Sequence, residues 1–110
     1  MVVSALMRRL RTEAELEEAL AAEEYLLFKH STACGISAAA FDEYRRWHEE
    51  HPEAATGWID VVAERALSRA VAERTGIRHQ SPQAIWLARG KPRWNASHGA
   101  ITAESLDAKR

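Results

Sequence analysis

The chain has one cysteine, and with no second thiol it can close no internal disulfide. Packing alone must hold the fold, and a reducing compartment suits such a composition. It has no run of about 18 apolar residues, so no helix long enough to cross a membrane is expected. A short apolar stretch near the start ends in Arg8 and Arg9, whereas an export signal places its basic residues first; the expected location is cytoplasmic. The net charge of −1 gives no reason to expect nucleic acid as a partner. There is no glycine-rich phosphate loop and no nucleophilic-serine signature. The five histidines lack paired-ligand spacing, so a zinc site from Cys34 with His30, His79 and His98 has weak support and no metal is expected.

What is present describes an ordinary folded chain. Hydrophobic residues make up 46% and charged residues 28% of 110, enough apolar side chain for one layered domain over residues 1–110. Charge is divided unevenly. Residues 1–64 carry a balance of −7 and residues 65–110 one of +6. Two oppositely charged solvated faces are the favoured explanation; the sharper alternative is a basic patch in the second half that receives an anionic ligand or an acidic partner surface.

Residues 2–6 can form a first strand. Thr12 and Glu15 make a capping box for a helix to about Ala22, with Leu16, Ala19 and Leu20 on one face. The unbroken apolar run from Tyr25 to Lys29 suits a strand buried on both faces. His30 to Ala33 reads as a polar loop. A long helix follows from Cys34 to Glu50, its apolar side marked by Phe41, Tyr44 and Trp47; His48 and His51 are expected at the surface. Residues 56–62 read as a strand and 64–74 as a helix with Leu67, Ala70 and Val71 inward and Gly76 at its C-cap. Pro82 opens a strand through Leu87, Arg89 to Pro92 turn the chain, and Arg93 to Asn95 return it. Thr102 caps a last helix through Leu106. Alternating strands and helices predict parallel pairing, with an antiparallel pair at one edge. This is the thioredoxin order: an α/β fold with a central mixed sheet of four or five strands and helices on both faces.

Cys34 falls where a buried strand gives way to a helix. Backbone N–H groups at a helix N-terminus lack partners and the helix dipole is positive there, so thiolate is favoured over thiol. Lys29 just upstream adds a candidate positive charge. A buried cysteine serving as a small apolar residue is the alternative. Ser37 lies one turn on and can donate to the thiolate or cap the helix, but cannot resolve a mixed disulfide as a second cysteine does.

Three segments, residues 28–37 (FKHSTACGIS), 78–83 (RHQSPQ) and 97–102 (SHGAIT), together resemble the monothiol bacilliredoxin family, thioredoxin-like proteins of the bacillithiol system with a Thr-Cys-Pro-Ile-Ser active site. The resemblance spans nearly the whole chain in the same order. It implies that Ser81-Pro82 is a cis step beside the thiol. It further implies that Cys34 removes bacillithiol from mixed disulfides on client proteins, with a second bacillithiol or another reductase regenerating it. Bacillithiol carries carboxylates, for which charge and position make Lys29 and Arg78 candidate partners. Ala33 and Gly35 depart from the family pattern, and Gly35 restores a backbone N–H near the sulfur. The resulting Cys-Gly-Ile-Ser also resembles the Cys-Gly-Phe-Ser of monothiol glutaredoxins, which implies a [2Fe–2S] carrier as a second reading. A thioredoxin-fold sensor or interaction module is a third.

Overall fold

Local signals place most helix ends. In the computed structural model, which describes residues 7–110, α1 runs over Glu13–Ala21 and opens on the expected capping box between Thr12 and Glu15. The strand read over residues 2–6 lies outside the described residues. A short β1, Arg8–Arg9, precedes α1. The other elements are β2 (Tyr25–His30), α2 (Gly35–Glu50), β3 (Thr56–Asp60), α3 (Arg65–Thr75), β4 (Gln83–Ala88), β5 (Lys91–Ser97) and α4 (Ala103–Ala108). Gly76 caps α3 in the left-handed conformation, and Thr102 caps α4. The third strand stops at Asp60, short of the expected Val62, whose side chain is exposed.

The sheet order is β1-β3-β2-β4-β5, and all six residues of the central β2 are buried. β3 runs parallel to β1 and β2, but β4 and β5 pair antiparallel. The parallel pairing expected from alternation therefore stops at β3. The reason lies in residues 76–82. An 11-residue helix such as α3 carries the chain roughly 16 Å down the sheet. Seven irregular residues can retrace about 23 Å, so β4 starts back at the edge where β2 ends. Gln83 accordingly pairs with Lys29.

Helices cover both faces. Leu27, Ile59, Ile85 and Leu87 meet α1 and α3 on one side. Leu26, Phe28 and Trp86 meet Tyr44, Trp47, Ile101 and Leu106 on the other. Tyr44, Thr56 and Trp86 in this second layer have matched polar atoms, whereas the buried Trp47 indole nitrogen has no hydrogen-bond partner among the described residues. Thr56 donates its only hydroxyl proton to the Leu26 carbonyl at 2.7 Å, so Tyr44 donates to Thr56 at 2.6 Å. The Trp86 indole N–H donates to the Leu106 carbonyl at 2.9 Å. His48, expected at the surface, is buried instead, because α2 turns it inward next to Trp47.

Gly57 in β3 has no room for a side chain. A Cβ there would stand 2.3 Å from the Tyr25 hydroxyl and 3.0 Å from the Arg8 carbonyl. Gly57→Ala is therefore expected to destabilise the fold by about 1–3 kcal/mol, as overpacking does. Urea denaturation checks this; an unchanged midpoint would show that Tyr25 moves aside freely.

Candidate active site

The parallel strands β2 and β3 end at one edge of the sheet, and the loop 31–33 leads from there into α2. Cys34 is the N-cap residue of α2 and is partly exposed. Its carbonyl accepts from Ala38 N–H at 3.0 Å and its own N–H donates to Ser31 O at 3.2 Å. No side chain caps this helix, so the N–H groups of its first turn remain unclaimed by a polar side chain. They form a positive rim beside the sulfur, suited to a thiolate or a developing negative charge.

Ser37 does not cap the helix. It is fully buried, and its Oγ accepts from Ser31 N–H at 2.9 Å and pairs with His30 Nδ1 at 2.8 Å. This bond pins the loop 31–33 against the first turn of α2. His30 ends β2 rather than opening a loop. Its ring stacks on Phe41 at 4.2 Å and meets Trp58 edge-on at 5.6 Å. Burial pushes its pKa down, partly offset by the Asp60 charge. Only its place in strand register, two after Phe28, could have signalled this inward position.

Asp60 secures the other side of the loop. Its carboxylate accepts from Val62 N–H at 3.0 Å and Ala63 N–H at 3.2 Å, and from Thr32 Oγ1 at 3.4 Å. Burial raises its pKa, but those donors and Arg9 at 3.5 Å outweigh it and leave a net lowering.

Lys29 is not where a thiolate or a surface carboxylate could use it. It points to the opposite face of the sheet from α2 and is fully buried. Its Nζ donates to Ser68 O at 3.0 Å and to His79 Nδ1 at 3.1 Å, and burial brings its pKa down to about 8. Strand alternation, with Phe28 and His30 on the α2 side, assigns it there. Arg78 is exposed in the segment that returns to the active edge, its carbonyl held by Gln83 Nε2 at 3.1 Å. The Ser81-Pro82 bond is cis, and Pro82 O accepts from His98 N–H at 3.2 Å. Gly35 is exposed and a Cβ there would meet nothing within 4 Å, so the backbone does not require glycine. Among the described residues no group of three histidine, cysteine or acidic side chains gathers at metal-binding distance.

The sequence matches the family described as "Monothiol bacilliredoxin BrxC" over residues 8–106. A solved thioredoxin-fold structure, proposed to be that of an oxidoreductase, is 31% identical; the match covers 94% of this chain and 92% of that one, with a TM-score of 0.88. A single-site variant of thioredoxin from Halobacterium salinarum NRC-1 matches at 20% identity, with 99% and 92% coverage and a TM-score of 0.75. Thioredoxin from Trypanosoma brucei brucei matches at 11% identity, with 98% and 90% coverage and a TM-score of 0.80. The last two establish likeness of fold alone.

Proposed function

The chain belongs to the monothiol bacilliredoxin family, a thioredoxin-fold family of thiol oxidoreductases, and from that premise we propose that Cys34 removes bacillithiol from client proteins. One observation carries the reading. The chain's only thiol belongs to the N-cap residue of a helix whose first-turn N–H groups no side chain among the described residues occupies, and a buried serine stands where a resolving thiol would stand.

The chemistry follows from those positions. The Cys34 thiolate attacks the bacillithiol sulfur of the mixed disulfide. A new bond forms between Cys34 Sγ and that sulfur, the client's bond to it breaks, and the client leaves as a thiolate that takes a proton from water. This exchange is redox-neutral. A second bacillithiol thiolate then attacks the bacillithiol sulfur of the adduct; its bond to Cys34 Sγ breaks, Cys34 leaves as a thiolate, and bacillithiol disulfide forms, again with no net change of oxidation state. The N–H rim of α2 stabilises Cys34 as nucleophile in the first step and as leaving group in the second. Gly35, Ser81 and Pro82 frame the approach of the incoming disulfide, and exposed Arg78 is a candidate partner for its carboxylates. The Ser37 bond to Ser31 and His30 holds the loop while the sulfur changes partners.

The test is intact mass spectrometry of the reduced protein mixed with a bacillithiol-capped client and no other reductant. The expected result is a gain of one bacillithiol on this chain and a free thiol on the client. An unmodified protein beside an untouched client would refute the reading.

A further inference from the structure

The face of the sheet opposite α2 carries a cavity that the exchange step does not use. It is about 390 Å³ in volume and is lined by Val61, Val62, Arg65, Ser68, Arg69 and His79. It opens next to the active edge. Val61 N–H donates to the His30 carbonyl at 2.9 Å, and Asp60 ties Val62 and Ala63 to Thr32, two residues before Cys34.

Its lining offers donors and no carboxylate. Arg65 and Arg69, one turn apart on α3, are exposed, and among the described residues neither has a carboxylate within 4 Å. His79 is turned into a donor by what lies behind it. The buried Lys29 ammonium has only protons to offer, so His79 Nδ1 must accept from it; Ser68 Oγ lies 3.2 Å from the same nitrogen. Burial and then the Lys29 charge lower the His79 pKa, so the ring is held neutral. A neutral ring that accepts at Nδ1 carries its proton on Nε2. Lys29 thus serves the pocket from behind, setting a histidine tautomer and adding one buried positive charge.

We propose that this pocket is the subsite for the carboxylates of the low-molecular-weight thiol, gripped by Arg65 and Arg69 with the His79 Nε2–H as a third donor. The assignment rests on the bacillithiol reading for the identity of the thiol. It does not rest on it for the binding of an anion. It replaces Lys29 as a direct partner, and it gives the positive second half of the chain a use.

Two measurements separate these layers. The first is transfer from one client peptide capped with bacillithiol or with mercaptoethanol, for the wild type, the double variant Arg65→Gln with Arg69→Gln, and Arg78→Gln. The double variant is expected to lose roughly 10- to 100-fold in kcat/KM on the bacillithiol cap, in line with charge-assisted hydrogen bonds. On the neutral cap it should stay within about twofold. Equal losses on both caps, or a selective loss confined to Arg78→Gln, would overturn the pocket. The second is an amide-shift titration with succinate, with succinamide as the neutral control. Saturable shifts at Arg65, Arg69 and His79 with succinate alone, absent from the double variant, support the site; no shifts in the wild type overturn it. If the wild type transfers no bacillithiol yet binds succinate in this way, the bacillithiol reading fails and the anion site stands.

Discussion

Cys34→Ser is expected to abolish transfer completely, with neither a bacillithiol adduct on this chain nor a freed client. The loss is total because the chain has no other thiol, and a serine hydroxyl does not attack disulfide sulfur at neutral pH. The wild type is expected to stop at the capped state until a second thiol arrives. Ser37 is fully buried and engaged by Ser31 and His30, so it neither resolves the adduct nor reaches the client. Ser37→Cys changes that outcome. Residues three apart in a helical turn bring their Cα atoms within the roughly 4.4–6.8 Å that a disulfide spans. The variant is expected to release bacillithiol and close a bridge between Cys34 and the introduced thiol, read as a mass two hydrogens below the reduced protein. Transfer that survives Cys34→Ser would end the thiol mechanism. A wild type that takes no cap but purifies as a brown dimer under anaerobic conditions would move the assignment to a cluster carrier.

The second large effect concerns stability against pH, and Lys29 carries it. In the unfolded chain this amine has the ordinary lysine value of 10.5, and in the fold burial brings it down to about 8. Below pH 8 both states hold the proton, and the fold bears the full cost of enclosing an ammonium. Between 8 and 10.5 the unfolded state binds more protons, so the free energy of unfolding rises with pH through that window. The difference is worth about 3 kcal/mol when fully developed. Tyr25, pushed up to about 12 by burial, opposes the rise only as pH passes the ordinary tyrosine value of 10. Urea denaturation of wild type and Lys29→Met at a series of pH values from about 7 to 10 isolates the lysine. The wild type should gain on the variant by about 2–3 kcal/mol across the series. A constant gap would mean that Lys29 is not a charged amine enclosed by the fold, and it would remove the basis for the His79 tautomer.

The parts of this molecule legible in its sequence are those whose causes lie within a few residues. The capping box at Thr12 and the caps at Thr102 and Gly76 appear where expected, since each satisfies its own backbone groups locally. The place of Cys34 at a strand-to-helix junction was legible for the same reason. The family match and the thioredoxin fold agree with what residues 28–37, 78–83 and 97–102 already implied together.

Other features depend on what the chain meets after long separations. The direction of β4 follows from residues 76–82 retracing the height of α3, a choice that helix-strand alternation does not encode. Sequence proximity makes Lys29 a candidate positive charge just upstream of the thiol, yet strand register sends it through the sheet to Ser68 and His79, 39 and 50 residues away. Helix position alone likewise makes Ser37 a candidate cap and puts His48 at the surface, and their burial depends on what packs over α2. Sequence by itself determined the thiol, its helix and the absence of a second cysteine, because identity and local hydrogen bonding suffice for those. Only the tertiary structure decided which charges reach the active edge and which are enclosed, because the side of a sheet a residue faces, and what covers it, are set by distant segments.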